Sequence, residues 1–343
     1  MKALVLARYS HLEFSEVPEP VIGDEDVLVR VRASGICGSD VHGLDGSSGR
    51  RIPPLVMGHE AAGIIARVGA KVTGWQVDDR VTFDSTVYCG NCENCRQDLF
   101  NLCDRRRVFG VSCTEYRQAG AFAEYVAVPQ RVLYRLPEAV SFVQGATVEP
   151  LSIAAHAVAR AHITPETAAV IVGSGVIGLL VIQVLRARGC TRIVAVDIDP
   201  YRLEKAREMG AQAVLRSDRD DVVAEVHRLT TGQGADVSFE AVGVTVTVGL
   251  AIDVLRKGGM AVLIGNVAPI VDMGLQTVVT RQLTLAGSAA SCGEYPACLE
   301  MIAAGTVDVD SIVSEVRPLS EGGKWFDRLL SGKESLLKVV LEP

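Results

Sequence analysis

Apolar residues fall along this chain in two different rhythms. Up to about residue 150 they come in short alternating runs at 3–6, 26–33, 61–68, 80–83 and 121–128, with Gly, Pro and Asp between them. Alternation with a period of two marks strands with one buried face, and the turn residues between them predict an antiparallel, partly barrel-like domain. After residue 150 the texture changes. Apolar strands at 170–173, 192–197, 236–240 and 261–264 are interleaved with helical patterns at 179–188, 201–209 and 247–255. That rhythm predicts an α/β domain with a doubly wound parallel sheet. Beyond residue 285 a helix (295–304), a strand (312–317), a helix (323–330) and a last strand (337–341) are expected.

At 343 residues the chain is about twice the usual single domain, so the change of texture reads as a domain boundary. The formal net charge is −7, and the only basic run is Arg105-Arg106-Arg107, which excludes a nucleic-acid partner as an expectation. The uncharged stretch 168–185 approaches the length of a membrane span, but three glycines interrupt it and no second stretch accompanies it. Lys2 and Arg8 bring charge too early for a secretory signal. The expectation is a cytosolic chain with reduced thiols and no membrane partner, in which nine cysteines point to metal or catalysis before disulfides.

Gly173-Ser174-Gly175-Val176-Ile177-Gly178 follows an apolar strand and opens an amphipathic helix. In that setting only glycine lets the backbone turn tightly and approach a pyrophosphate, which then sits on outward-pointing amides at the helix N-terminus. Nineteen residues past Gly178, Asp197 ends the next strand, where a carboxylate can accept bonds from ribose hydroxyls and repel the extra phosphate of NADP. The pattern therefore predicts NAD. Arg202 lies close by and is read as covering the adenine.

Cys89, Cys92, Cys95 and Cys103 have the spacing Cys-x-x-Cys-x-x-Cys-x7-Cys. Four thiolates that converge make a closed tetrahedral site, which zinc favours. An iron–sulfur cluster is the competing occupant, but ferredoxin-type runs usually place proline after the last cysteine, and here Asp104 follows. Cys113, Cys190, Cys292 and Cys298 show no ligand spacing and are expected as small buried residues.

Taken in order, Gly35-Ile36-Cys37-Gly38-Ser39-Asp40-Val41-His42, Gly58-His59-Glu60, the four-cysteine run, Val148-Glu149-Pro150-Leu151 and the glycine motif resemble the zinc-containing medium-chain dehydrogenases/reductases over essentially the whole chain. Glu149-Pro150-Leu151-Ser152 resembles their sorbitol (polyol) dehydrogenase branch, where alcohol dehydrogenases carry a cysteine. The resemblance implies a GroES-like β-rich catalytic domain (1–150), a Rossmann doubly wound parallel-sheet domain (151–285) and a tail (286–343) that packs back on the first. It also implies a zinc-dependent oxidoreductase that moves hydride from a secondary alcohol to NAD, with one catalytic and one structural zinc per subunit. A homotetramer is implied, with a dimer as the alternative, paired through the edge of the Rossmann sheet.

Position by position, Cys37, His59 and Glu60 match catalytic zinc ligands. Glu149 matches a carboxylate that either binds that zinc or holds its water. Asp40 matches a group that orients His59. Ser39 matches the hydroxyl beside the substrate oxygen, and His42 matches a proton-relay histidine. Val176, Ile177, Asp197, Arg202 and Val242 match cofactor contacts, while Ile264, Gly265, Asn266, Ser288, Ala289 and Ala290 match the nicotinamide side.

The substrate side departs from the pattern. Gly43 stands where sorbitol dehydrogenases carry a tyrosine, and Ala290-Ser291 stand where they carry Arg-Tyr. Both changes remove groups that would bond polyol hydroxyls, so sorbitol itself is not the expected small-molecule alcohol. Another sugar alcohol, a cyclitol, a sugar-alcohol phosphate, a diol or a 3-hydroxy amino acid fits as well. A phosphorylated substrate would require basic side chains, for which Arg50, Arg51 and Arg117 are available. A threonine-type or simple-alcohol dehydrogenase is the alternative reading, and a non-catalytic NAD-binding relative is a third.

Overall fold

A computed structural model describes residues 1–113 and 116–343. The chain divides into two compact units, one of Met1–Glu149 with Ser291–Pro343 and the other of Pro150–Ala290.

In the first unit the strand Asp26–Gly35 is the hub. It pairs antiparallel with Glu60–Val68, Tyr125–Pro129 and Lys338–Glu342. The sheet continues from Glu60–Val68 to Arg80–Phe83 and Leu133–Arg135, and from Lys338–Glu342 to a parallel partner, Val313–Pro318. Apolar residues of these strands, Val29, Val31, Ile65, Phe83 and Val126, close one core together with Phe109 from a turn. A second core sets Trp325 and Phe326, from the helix Gly322–Ser331, against Leu4, Leu6, Met57 and Phe122. The expected strand at 121–128 is shorter than its apolar pattern suggests. Only Tyr125–Pro129 joins the sheet. The preceding residues bond instead to other segments, Ala121 and Phe122 through their amides to Gly58 and Met57, while Leu4 donates to Phe122.

The second unit is a six-stranded, all-parallel sheet: Ala213–Arg216, Arg192–Asp197, Ala168–Val172, Ala235–Glu240, Leu255–Leu263 and Thr284–Gly287. Numbered along the chain this order is 3-2-1-4-5-6, and it reverses direction beside the first strand. Ala168–Val172 is buried at every position, as befits a strand covered on both faces. The uncharged stretch 168–185 thus splits into this strand and the helix Val176–Ala187. Among the described residues no helix is long and apolar enough to cross a membrane.

Alternation alone did not reveal Ala213–Arg216, a four-residue strand, or the helix Val222–Leu229. The expected boundary at 285 falls inside the sixth strand, Thr284–Gly287, and the unit runs on to Ala290.

The glycine motif occupies the turn between Ala168–Val172 and Val176–Ala187. Gly173 sits at φ +96°, a conformation that side chains resist. A Cβ at Gly178 would collide with the Gly173 carbonyl oxygen, so the third glycine lets helix and strand meet. A Cβ at Gly175 would meet no protein atom within 4 Å, so packing does not require that glycine. Gly178→Ala is expected to cost about 1–3 kcal/mol by overpacking a backbone contact. Denaturant unfolding checks it, with Gly175→Ala expected near wild type in stability.

Candidate functional site

The strand pair Asp26–Gly35 and Glu60–Val68 ends with Gly35 opposite Glu60. That register brings Cys37, just past one strand, alongside His59 and Glu60 at the start of the other. Cys37 Sγ, a His59 ring nitrogen and a Glu60 carboxylate oxygen all lie within 4.8 Å of one another. Gly35 is glycine for a local reason: a Cβ there would strike Glu60 Oε2.

Cys37 also caps the short helix Gly38–His42, and its amide donates to Asp40 Oδ2 at 3.4 Å. Ser39 is exposed on this helix and donates to Cys37 Sγ at 3.3 Å. His42, also exposed, lies three residues on and so shares the Ser39 face. Asp40 is fully buried, with Oδ1 3.5 Å from His59 Nδ1, within ion-pair range but short of hydrogen-bond geometry.

Electrostatics in this pocket are strong. Burial by itself would raise the Asp40 pKa, but the charges of His59 and Arg51 outweigh it and hold the carboxyl well below the usual range. Burial would lower that of His59, yet Asp40 and Cys37 raise it well above the ordinary imidazole value. A buried imidazole under so much negative charge sits in a field that favours a cation, and thiolate, imidazole and carboxylate are zinc donors. The donor set fits a catalytic zinc.

Two residues complete the pocket, one that sequence reasoning passed over and one to which it gave a different role. Lys338 Nζ donates to Glu60 Oε1 at 2.8 Å, to Glu60 Oε2 at 2.6 Å and to Ile36 O at 3.0 Å. Burial opposes its charge, but Glu60 and Cys37 raise its pKa. Its only sequence signal is a lysine heading three apolar residues in the strand Lys338–Glu342. Arg51 is the other, with its side chain 4% exposed and paired to Asp40 at 2.8 Å. That commitment withdraws Arg51 from the basic groups available to a phosphate, whereas Arg50 and Arg117 are exposed.

Glu149 stands outside the group of three donors. Its Oε1 accepts from Ser85 Oγ at 3.0 Å. Burial, opposed by the His59 charge and helped by Glu60, pushes its pKa up to about 7. Beside Ser85, burial likewise pushes Asp84 up to about 6, against the Thr86 amide and with the Glu294 charge.

The four cysteines form a separate cluster. Cys92 and Cys95 Sγ are 3.5 Å apart, while Cys89–Cys95 and Cys92–Cys103 are each 3.9 Å. A tetrahedron with metal–sulfur bonds of ~2.3 Å has edges of about 3.8 Å, so these sulfurs fit one zinc ion. Amides of Asn91 and Cys92 help lower the Cys89 pKa to about 6, the direction a thiolate ligand needs. Cys190 and Cys298 are buried as expected. Cys292 is half-buried and donates to Asp98 O at 3.1 Å, because it lies in an irregular turn and not on a core-facing element. The Cys113 side chain lies outside the described residues.

In the second unit the glycine motif and the residues predicted around it follow the carboxyl ends of successive strands. The motif follows the first strand, Asp197 ends the second, Val242 follows the fourth, Ile264, Gly265 and Asn266 the fifth, and Ser288, Ala289 and Ala290 the sixth. This edge, at the point where strand order reverses, is where open α/β sheets bind ligands. Asp197 is buried and accepts from the amides of Ser174 (2.7 Å), Ile198 (2.8 Å) and Asp199 (2.9 Å). A carboxylate has about four lone-pair sites, so three amides leave one for a ribose hydroxyl. Ser288 Oγ is buried with no hydrogen-bond partner, and Ala290 adopts φ +54°. Arg202 is partly exposed and 3.6 Å from Asp199.

A GroES-like unit carrying a thiolate–imidazole–carboxylate site, in one chain with a dinucleotide-type parallel sheet, defines a zinc-binding alcohol dehydrogenase. The family models agree: residues 23–138 match the alcohol dehydrogenase GroES-like domain, and 176–304 match the zinc-binding dehydrogenase domain. The chain is 31% identical to a sorbitol dehydrogenase of Bacillus subtilis, over 100% of this chain and 97% of that one. It is 37% identical to an L-idonate 5-dehydrogenase of Vitis vinifera, over 86% and 81% respectively. A zinc-binding dehydrogenase of Sinorhizobium meliloti bound to NADP superposes with a TM-score of 0.91 at 30% identity, over 100% and 99%. The chain belongs to the zinc-containing medium-chain dehydrogenase family, in its polyol dehydrogenase branch.

The Asp84 shift has a stability consequence. Its folded pKa lies above the ordinary 3.8, so its contribution is full at low pH and is lost as pH rises through about 6. Asp84→Asn stays neutral, and its stability relative to wild type is expected to grow from about pH 4 to pH 7, by up to about 3 kcal/mol. Denaturant unfolding across that range checks it, and a constant difference would refute it.

Proposed function

We propose that this chain oxidises a secondary hydroxyl of a polyhydroxylated small molecule to a ketone, with NAD as hydride acceptor and two zinc ions per subunit. The observation that carries this is the convergence of three donors, half-buried Cys37 with buried His59 and Glu60, while Glu149 is turned to Ser85. Three protein ligands with a position left for water or substrate are the arrangement of catalytic zinc, whereas four cysteines suit a structural one. Zinc held by the three supplies a Lewis acid that lowers the pKa of a hydroxyl at neutral pH.

The chain's own side chains do the rest. Asp40 fixes the His59 ring and Lys338 holds the Glu60 carboxylate, so both donors are aimed before substrate arrives. Ser39 takes the hydroxyl proton, and His42, on the same exposed helix face, passes it to solvent. Glu149, held by Ser85, stands ready as a second carboxylate for the metal or its water.

The names of the relatives, sorbitol and L-idonate dehydrogenase, point to polyhydroxylated substrates. Asp197 favours NAD, since its carboxylate would repel a ribose phosphate. The NADP of the Sinorhizobium structure makes the choice worth testing directly. Assembly as a homotetramer, or else a dimer, is supported by the free edge of Thr284–Gly287 and by the apolar residues near it. Val267, Ile270, Met273, Leu275 and Val279 are 48–83% exposed within one short segment, more than a monomer usually shows. A cluster of four unpaired thiols supports a cytosolic location, where thiols stay reduced.

Absorbance of reduced cofactor, followed with NAD and NADP across polyols, cyclitols, polyol phosphates, diols, threonine and simple alcohols, tests this reading. Turnover with NAD on polyhydroxylated secondary alcohols, abolished in His59→Ala, is expected. Turnover confined to threonine or monohydric alcohols would move the chain to another branch, and NADP preference would overturn the Asp197 argument. Cys95→Ser is expected to lower bound zinc from about two ions per subunit to about one, with a lower thermal midpoint. Metal analysis showing no loss would remove the structural site.

A further inference from the structure

The helix Gly38–His42 ends at Gly43, whose backbone (φ −90°, ψ −7°) any residue can adopt. Glycine is needed there for space. A Cβ would lie 2.7 Å from Arg51 Cγ and 3.0 Å from Ser39 O. Gly43 is therefore the opening through which the Arg51 side chain reaches the interior.

Inside, one nitrogen of the guanidinium serves two groups. Nη2 donates to Asp40 Oδ1 at 2.8 Å and to Ser39 Oγ at 3.3 Å, while Nη1 reaches Arg50 O at 3.4 Å. Asp40 Oδ1 is the oxygen that faces His59, and Ser39 Oγ is the hydroxyl that donates to Cys37 Sγ. Arg51 thus touches the partners of two of the three converging donors without lying among them. Burying a guanidinium costs several kcal/mol, and a well-packed apolar side chain would fill the same volume without that cost. Its cation is spent on groups that face the site.

We propose that Arg51 is a positioning residue for the reaction, admitted by Gly43, with two effects. It clamps Asp40 so that the carboxylate stays turned to His59. It also fills one lone pair of the Ser39 hydroxyl with a donor that can never accept a proton. Ser39 is left one lone pair for the substrate proton, and its own proton, which points to Cys37 Sγ, has to turn away from the guanidinium and the thiol to pass on. The proposal rests on reading Cys37, His59 and Glu60 as metal ligands and Ser39 as the proton acceptor.

The test compares wild type, Arg51→Met, Arg51→Lys and Gly43→Ala as metal-loaded enzymes. It measures kcat and KM separately, metal retention against a chelator, and the visible bands of the cobalt(II) form. Arg51→Met is expected to lower kcat about 10- to 100-fold with KM little changed, to release metal more readily and to shift the cobalt bands. Arg51→Lys should recover metal retention through its charge on Asp40, but not full kcat, because the lysine side chain is one atom shorter and ends before the position from which Nη2 reaches both partners. Gly43→Ala should reproduce the Arg51→Met phenotype, and combining the two should add little.

If Arg51→Met fails to fold, the lysine and Gly43 variants decide the matter. Unchanged kcat, chelator resistance and cobalt bands in these variants, with only lower stability, would make Arg51 a structural residue and overturn the proposal. So would additive effects of Gly43→Ala and Arg51→Met. A wild type that binds cobalt yet oxidises no alcohol sinks the functional reading alone, because the cobalt bands and chelator resistance still decide Arg51.

Discussion

The register of two strands is the constraint on which the rest of this site depends. Asp26–Gly35 and Glu60–Val68 run antiparallel and end with Gly35 facing Glu60, so the chain leaves one strand and enters the other at the same place. Cys37 and the His59-Glu60 pair are neighbours for that reason alone. A slip of one residue would turn Glu60 to the opposite face of the sheet and leave Cys37 without its partners. The C-terminal strand Lys338–Glu342 locks the arrangement from the other side of the hub, pairing Val340 with Gly35 and delivering Lys338 to Glu60. Trp325 and Phe326 hold the tail against the same unit, so the apolar core and the ion pair support one geometry.

Such a pocket is costly to build. Asp40, Arg51, His59, Glu60, Glu149 and Lys338 are all buried within the first unit, and each charge removed from water costs several kcal/mol before it finds a partner. Pairing offsets part of this: Arg51 with Asp40, Lys338 with Glu60, and His59 between Asp40 and Cys37. What remains is a set of donors held apart by their partners and unable to relax toward one another. That is the condition in which a divalent cation gains most, because its ligands are preorganised and their orientation is fixed from behind. The four-cysteine cluster solves a different problem. Its sulfurs come from one short irregular segment with little core of its own, and a metal ion takes the place of packing there.

The second unit works by backbone more than by charge. Its strand order reverses beside Ala168–Val172, and the loops at the carboxyl edge are held by hydrogen bonds from within the sheet. Glu240 Oε1 accepts from the amides of Val242 and Gly243, just as Asp197 accepts from Ser174 across the neighbouring strands. Two buried carboxylates, at the ends of the strands that flank Ala168–Val172, thereby shape the edge along which a dinucleotide would lie, and Gly173 and Gly178 allow the first turn to close tightly enough to reach it.

By itself the sequence determined whatever is encoded locally. The two hydrophobic periods separate an antiparallel unit from a parallel one, the glycine spacing marks the dinucleotide turn, and four closely spaced cysteines mark a metal, because each of these signals lies within a few residues. Short elements such as Ala213–Arg216 escaped, since four residues carry too little periodicity to stand out. Only the tertiary structure decided which distant side chains meet. Lys338 lies 278 residues from Glu60, and nothing in the strand around it reveals that its ammonium turns inward to a carboxylate. Arg51 looked like one of three loop arginines until the space left by Gly43 showed it buried against Asp40 and Ser39. Glu149 was expected to bind the metal or hold its water, and only the fold showed that one of its oxygens accepts from Ser85. The physical reason is the same in each case: local spacing sets backbone conformation, whereas the partner of a buried charge is chosen by strand register and by the room its neighbours leave.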